Sequence, residues 1–345
     1  MKKFMVLLLA LVMVLGLAAC GGDDKGAESS GEKEVFKIGV IQLVKHDALD
    51  RAYEGFVDEL AEMGYVDGEN IEIEYQNASN DQSNCLTIAE SMVNDEKDLI
   101  FAIATPAAQA AASKTEDIPI LVSAVTDPAG SGLIESNDAP GRNLSGTSDL
   151  TPVAQQIKLL KEVVPDAKNF AVLYCSNESN SEIQVRLAKE AAEEYGLEVV
   201  EASVSSSNEI QQMVSSLVGK VDAIYVPTDN TIVAGMETVS MVATEAKIPV
   251  ICGEAGSVKG GGLISISLDY YDLGARTARQ AIRILEDGED ISKMPIEYIG
   301  DDELKYYING AVAEAIGITT IPEEIMEAAR LAGAEKFILA LKDGF

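Results

Sequence analysis

The sequence predicts an α/β protein of two similar doubly wound lobes with parallel sheets, joined by a multi-strand hinge. Three observations carry this. Short apolar runs alternate with stretches of helical periodicity along nearly the whole chain, the pattern of a parallel sheet wrapped by helices. The order of elements in the first half returns in the second, with Ile118-Pro119-Ile120-Leu121 answered by Ile248-Pro249-Val250-Ile251. An internal duplication of this kind points to two lobes. Finally, two strands stop at matching polar tips, Ala104-Thr105-Pro106 and Thr228-Asp229-Asn230, each followed by a helical pattern. Strand tips are where open α/β sheets bind ligands.

The chain has 345 residues, and the first 20 read as an export signal. Lys2 and Lys3 precede an apolar run that ends Leu17-Ala18-Ala19-Cys20. This end resembles the lipobox of bacterial lipoproteins, which implies cleavage before Cys20 and acyl chains on its sulfur. Acyl chains bind membranes at ~0.8 kcal/mol per buried CH₂. Residues 21–34 are polar, without periodicity, and read as a flexible tether.

In the first half, residues 36–43 form a continuous apolar run, fitting a strand covered on both faces. A helix follows, with Leu49, Ala52, Tyr53, Phe56, Leu60 and Met63 on one face, and Gly64 at its end. Residues 71–75 alternate apolar and acidic, as an edge strand does. Asn80 or Asp81 caps a helix through Val93, and residues 99–103 are the next strand. Thr105 is expected to cap the following helix, with Pro106 at its first position, where a missing N–H costs nothing. Residues 118–122 are the fourth strand.

In the second half, Thr151-Pro152 opens a helix, and strands are expected at 170–173, 197–200, 221–226 and 248–251. The helix from Ser181 ends before Gly196, and Thr228 or Asp229 caps the helix after the third of these strands. A further strand at 262–268, a helix through Leu285, a short strand at 295–299 and two terminal helices complete the chain. The first lobe is expected to hold residues 36–147 and 269–294, the second 148–268 and 295–331, with 332–345 a tail. Segments near 143–148, 265–270 and 295 are expected to cross between lobes.

Composition narrows the function. The net charge of −31 repels phosphate backbones, so no nucleic-acid partner is expected. Three cysteines besides Cys20 cannot pair fully, and none has zinc-ligand spacing. The one histidine, His46, supports neither a metal cluster nor a hydrolytic triad and reads as a solvent-facing loop residue. No metal and no cofactor are expected. The chain carries no G-x-S-x-G elbow, Walker A or dinucleotide glycine fingerprint, so an enzyme is not expected.

Several segments together resemble the substrate-binding lipoproteins of ABC importers with the type I periplasmic-binding-protein fold. They are Ile38–Leu43, Thr105-Pro106-Ala107, Val125-Thr126-Asp127-Pro128, Asn143-Leu144-Ser145-Gly146, the run from Leu173 to Ser181, Val226-Pro227-Thr228-Asp229-Asn230, and Asp269-Tyr270-Tyr271-Asp272-Leu273-Gly274. More narrowly the chain is similar to the tryptophan/tyrosine-type amino-acid-binding group. The resemblance spans roughly residues 36–331. It implies capture of a small solute between lobes and delivery to a membrane permease with a cytoplasmic ATPase, by a monomer held to the extracytoplasmic face through Cys20.

An amino acid needs two opposite charges answered at once. Its carboxylate suits helix N-termini, offered at Thr105 and Ala107 and near Ser123 and Thr126. Its ammonium needs a carboxylate: Asp127, Glu178, Asp229, Glu254 and Asp269 stand at strand ends, with Asp229 and Glu178 favoured. Asn180, Asn230, Ser176, Thr228 and Gln42 supply further polar contacts, and Tyr174 and Tyr270 flank an aromatic side chain. Simpler explanations stand beside these: Thr105, Thr228 and Asp229 as caps, Asp127-Pro128 as a turn, Tyr174 as packing, Glu254 as a rim residue. A sugar or nucleoside receptor of the same fold ranks lower, because the chain has no tryptophan to wall a sugar. A sensor ectodomain is the other alternative.

Overall fold

The computed structural model describes residues 35–318 and 321–331. The expected signal with Cys20, the tether and the tail lie outside the described residues. Two six-stranded sheets are present. In chain order the first half runs β1 (Phe36–Gln42), α1 (Asp47–Glu62), β2 (Ile71–Asn77), α2 (Gln82–Asn94), β3 (Leu99–Ile103), α3 (Thr105–Ala112), β4 (Ile120–Ser123) and β5 (Leu144–Ser148). The second half runs α4 (Val153–Val163), β6 (Asn169–Cys175), α5 (Ser179–Glu194), β7 (Glu198–Val204), α6 (Ile210–Leu217), β8 (Ala223–Val226), α7 (Asn230–Ala234), α8 (Met236–Glu245), β9 (Val250–Cys252), α9 (Ala255–Lys259) and β10 (Ile264–Ser267). Then come α10 (Tyr270–Leu285), β11 (Glu297–Tyr298), β12 (Lys305–Ile308), α11 (Gly310–Ile316) and α12 (Glu323–Leu331).

The first sheet has the order β11-β5-β4-β3-β1-β2, all parallel. The second has β12-β10-β9-β8-β6-β7, parallel except for β12. The duplication read from the sequence is physical. Pro119 and Pro249 stand just before β4 and β9, and their carbonyls accept from Ile100 and Ile224, each over 2.9 Å. Proline fits there because its missing N–H is outside the ladder.

The central strands are buried on both faces, as their apolar runs require. Phe56 on α1 stacks on Phe101 of β3 with centroids 4.1 Å apart. Helix α10 packs against α1 so closely that a Cβ on Gly274 would stand 1.9 Å from the Ala52 carbonyl oxygen, and one on Gly55 2.0 Å from that of Tyr271. In the second lobe the buried Tyr225 donates to Gln156, which in turn donates to the carbonyls of Gly253 and Ile266.

The chain passes between the sheets three times, at 149–152, 268–269 and 299–304. Several details differ from the sequence reading. β11 pairs with β5 in the first sheet, whereas residues 295–299 were expected in the second lobe. Residues 144–148 are a full strand, and the crossing lies just after them. β12 had no apolar run to announce it; it is a half-exposed antiparallel edge strand. Thr105 is the first helical residue, not the cap, because Ala104 takes the turn with φ of 85°. Among the described residues no helix is long and apolar enough to cross a membrane.

Candidate functional site

The strand tips of both sheets converge on a small, nearly closed pocket. Its walls come from both lobes: His46 and Leu49 at the start of α1, Ala124 after β4, Thr228, Asp229, Asn230 and Val233 around the start of α7, Glu254 before α9, and Tyr270 at the start of α10. Asp149, on the first crossing segment, completes it. The lobes touch here. Thr126 Oγ1 lies 3.3 Å from Thr228 Oγ1, His46 Nε2 3.3 Å from Asn230 Oδ1, and Asn80 Nδ2 donates to Thr231 Oγ1 over 3.0 Å. At the rim Lys259 meets Asp47 at 2.7 Å.

Four buried carboxylates gather around the pocket, and their hydrogen bonds separate them. Glu178 accepts from the backbone and side chains of Asn230 and Thr231, at 2.6 to 3.1 Å. Asp229 caps α7 through Ile232 N (2.8 Å) and also accepts from Cys175 N (2.6 Å) and Ser181 Oγ (2.7 Å). Burial, then the nearby Glu178, pushes Asp229 up to about 7. Glu254 caps α9, accepting from Gly256 N and from the amide and hydroxyl of Ser257, and burial raises it. Asp149 accepts side-chain bonds from Tyr270 Oη (2.8 Å) and Thr126 Oγ1 (3.0 Å). Its own backbone N–H also turns toward the carboxylate; a carboxylate has about four acceptor positions, so Asp149 keeps capacity for a further donor. Burial pushes it up to about 6.

The residues singled out from the sequence therefore divide. Thr228, Asp229, Asn230, Glu254 and Tyr270 line the pocket. Thr126 supports it through Asp149. Asn180 holds the Thr228 carbonyl over 3.0 Å, and Glu178 holds Asn230 and Thr231. Thr105 is buried at the first turn of α3 with its hydroxyl unpartnered, and Ala107 is packed inside that helix. Gln42 is buried beneath the site, donating to Val44 O and Asp50. Ser123 accepts from Thr147 behind the strand tip.

Four expectations are corrected. Asp127 is a turn residue, its Oδ1 accepting from Gly130 N and Asn137. Tyr174 points along β7, where its hydroxyl donates to Glu201 over 3.0 Å, and it does not line this pocket. Ser176 is exposed and donates to Val204 O. Asp269 caps α10 through Tyr271 N and faces Lys305. Of the favoured pair, Glu178 is taken up by the four donors of Asn230 and Thr231, and Asp229 by three internal donors while it lines the pocket; Asp149 took no part in the sequence reading. His46 was read as solvent-facing; it lines the pocket, and burial pushes its imidazole down to about 4. Among the described residues no group of three His, Cys, Asp or Glu side chains could hold a metal ion.

Two α/β lobes, three crossings and a polar pocket closed from both sides define a two-lobed solute-binding protein of the type I periplasmic-binding-protein-like fold. The chain belongs to the ABC transporter substrate binding proteins, whose family model matches residues 37–332. This family acts outside the cytoplasm. The tyrosine-binding protein of Clostridioides difficile (strain R20291) is 44% identical over 322 residues, 91% of this chain and 92% of that protein. A solved ABC domain in complex with L-Trp, from Streptococcus pneumonia, is 40% identical with a TM-score of 0.82, covering 86% of this chain and 99% of that one. A ligand-free, open substrate-binding protein with adhesive properties from Clostridium difficile is 46% identical over 84% of this chain and 97% of that one, with a TM-score of 0.65.

Proposed function

We propose that this protein is a lipid-anchored receptor that captures an aromatic amino acid (tryptophan, tyrosine or phenylalanine) between its lobes. It then hands the amino acid, unchanged, to a membrane permease driven by a cytoplasmic ATPase. One observation carries the reading. The pocket collects buried carboxylates and no lysine or arginine among its lining residues, and Asp149 has acceptor capacity to spare. A neutral polyol would leave that charge uncompensated in a buried site, whereas an ammonium answers it. Leu49, Ala124, Val233 and the Tyr270 ring offer an apolar wall to a side chain. The names of the tyrosine-binding relative and of the L-Trp complex support the same class.

The test is a thermal-shift and calorimetric screen of the purified protein against the amino acids, sugars, polyols and nucleosides. A ligand specific to the folded state at a hundred times its Kd adds about 2.7 kcal/mol of stability. Tryptophan, tyrosine or phenylalanine should give the largest shift. A response confined to polyols or nucleosides would reject the amino-acid class. For the anchor, Cys20→Ala should abolish palmitate labelling and release the protein from cells; retention would argue against lipid on Cys20.

A further inference from the structure

The chain's only histidine stands in the pocket, and its two ring nitrogens are not equivalent. Nε2 lies 3.3 Å from Oδ1 of Asn230. The Asn230 amide cannot be turned round. Its Nδ2 donates to Oε2 of Glu178 over 2.6 Å, and the same carboxylate accepts the backbone N–H groups of Asn230 and Thr231. The nitrogen of the amide must face that acceptor, so the oxygen must face His46. An oxygen there holds the imidazole hydrogen on Nε2. In the neutral ring Nδ1 then carries a lone pair, and burial keeps the ring neutral. Nδ1 is itself buried and meets no donor among the described residues. The charged neighbours on its own helix, Asp47 and Asp50, are carboxylates.

An acceptor placed in a binding pocket and left unmet by the protein discriminates between ligands, because a ligand without the matching donor leaves it unsatisfied. The ligand's ammonium is drawn to the carboxylates, since a neutral imidazole offers it no charge. That leaves Nδ1 for a neutral donor. We propose that Nδ1 of His46 accepts a hydrogen bond from the ligand's side chain, so that the pocket selects aromatic amino acids with a ring donor, the phenol of tyrosine or the indole of tryptophan, over phenylalanine. This rests on the aromatic amino-acid reading above and narrows it.

The experiment compares tyrosine, tryptophan and phenylalanine by calorimetry on the wild-type protein, His46→Leu and His46→Asn. The wild type should prefer tyrosine or tryptophan to phenylalanine by at least about tenfold. His46→Leu, which removes the acceptor, should bring that ratio close to one, tyrosine and tryptophan losing more affinity than phenylalanine. His46→Asn, whose Oδ1 can replace Nδ1, should keep part of the preference. A wild-type ratio near one overturns the proposal, as does a ratio unchanged in His46→Leu. Equal weakening of all three ligands would make the ammonium the donor and also overturns it. If none of the three binds, the ligand reading fails as well; if all bind without dependence on His46, only this inference fails. A second measurement needs no variant. With a single histidine, ¹⁵N-histidine labelling gives one imidazole, which should carry its hydrogen on Nε2. Its Nδ1 signal should move on adding tyrosine and not on adding phenylalanine. A hydrogen on Nδ1 in the free protein would rule the proposal out.

Discussion

The hydroxyl of Tyr270 donates to Oδ2 of Asp149 over 2.8 Å, tying the first turn of α10 to the segment by which the chain leaves the first lobe. The other oxygen of Asp149 takes the Thr126 hydroxyl, which lies 3.3 Å from Thr228 across the cleft. Asp149 is thus the point where both lobes and a crossing segment meet. A charge bound there bears on lobe closure as well as on ligand affinity, because closure of this kind turns on a few residues at element ends.

Asp149→Asn should weaken amino-acid binding by about a hundredfold, since it keeps the shape and removes the charge opposite a buried ammonium, a loss of roughly 3 kcal/mol. Tyr270→Phe removes one hydrogen bond to that charge and should cost less, on the order of tenfold. Calorimetry on both variants checks the order. An Asp149→Asn protein with wild-type affinity would show that the ammonium sits elsewhere.

The sequence made the frame of this site legible and left its centre hidden. Strand tips are announced by apolar runs that stop at small polar residues, so Thr126, Thr228, Asp229, Asn230 and Glu254 were found. Asp149 sits in Ser148-Asp149-Leu150-Thr151-Pro152, which reads as a turn before a helix; only the crossing of the chain brings it into the pocket. Tyr174 misled because a strand's side chains alternate, and which face meets the ligand is set by the sheet's neighbours. His46 misled because its partner Asn230 stands 184 positions away.

Ala104 holds φ of 85° and ψ of 151°, a conformation suited to glycine, while its N–H donates to Ser123 O over 3.1 Å. Such a residue stores about 1–3 kcal/mol of strain. Ala104→Gly releases it, against a smaller loss from the freer unfolded chain. The variant should be more stable by about 1 kcal/mol in denaturant unfolding. A loss of stability would mean that the methyl group's packing outweighs the strain.

Gly274→Ala places a methyl group 1.9 Å from the Ala52 carbonyl oxygen, and backbone cannot swing aside as a side chain can. The helices α1 and α10 must part, at a cost of about 3 kcal/mol. A fall in Tm of several degrees is expected. Gly64→Ala is the control: nothing lies within 4 Å, so only its φ of 91° is strained and the loss should be smaller, about 1 kcal/mol.

The pH dependence follows from the same buried acid. Asp149 is raised from 3.8 to about 6 by burial. The folded state therefore holds this proton more firmly than the unfolded chain. The stability it contributes is full below about 3.8 and is lost as pH rises to about 6, worth ~3 kcal/mol for a fully buried group. His46 runs the other way. Its lowered value means stability present above 6.5 and lost as pH falls to about 4. The two overlap in free protein, so the difference between wild type and Asp149→Asn isolates the acid. Ligand affinity separates them further. An ammonium needs Asp149 charged, and His46 stays neutral above about 4, so it does not repel the ligand. Affinity should climb by up to about tenfold per pH unit below 6, while Asp149→Asn keeps only the shallower rise that Asp229, raised to about 7, contributes. Calorimetric titrations from about pH 5 to 8 read this directly. A wild-type affinity that does not change across that range would remove Asp149 from the ammonium site.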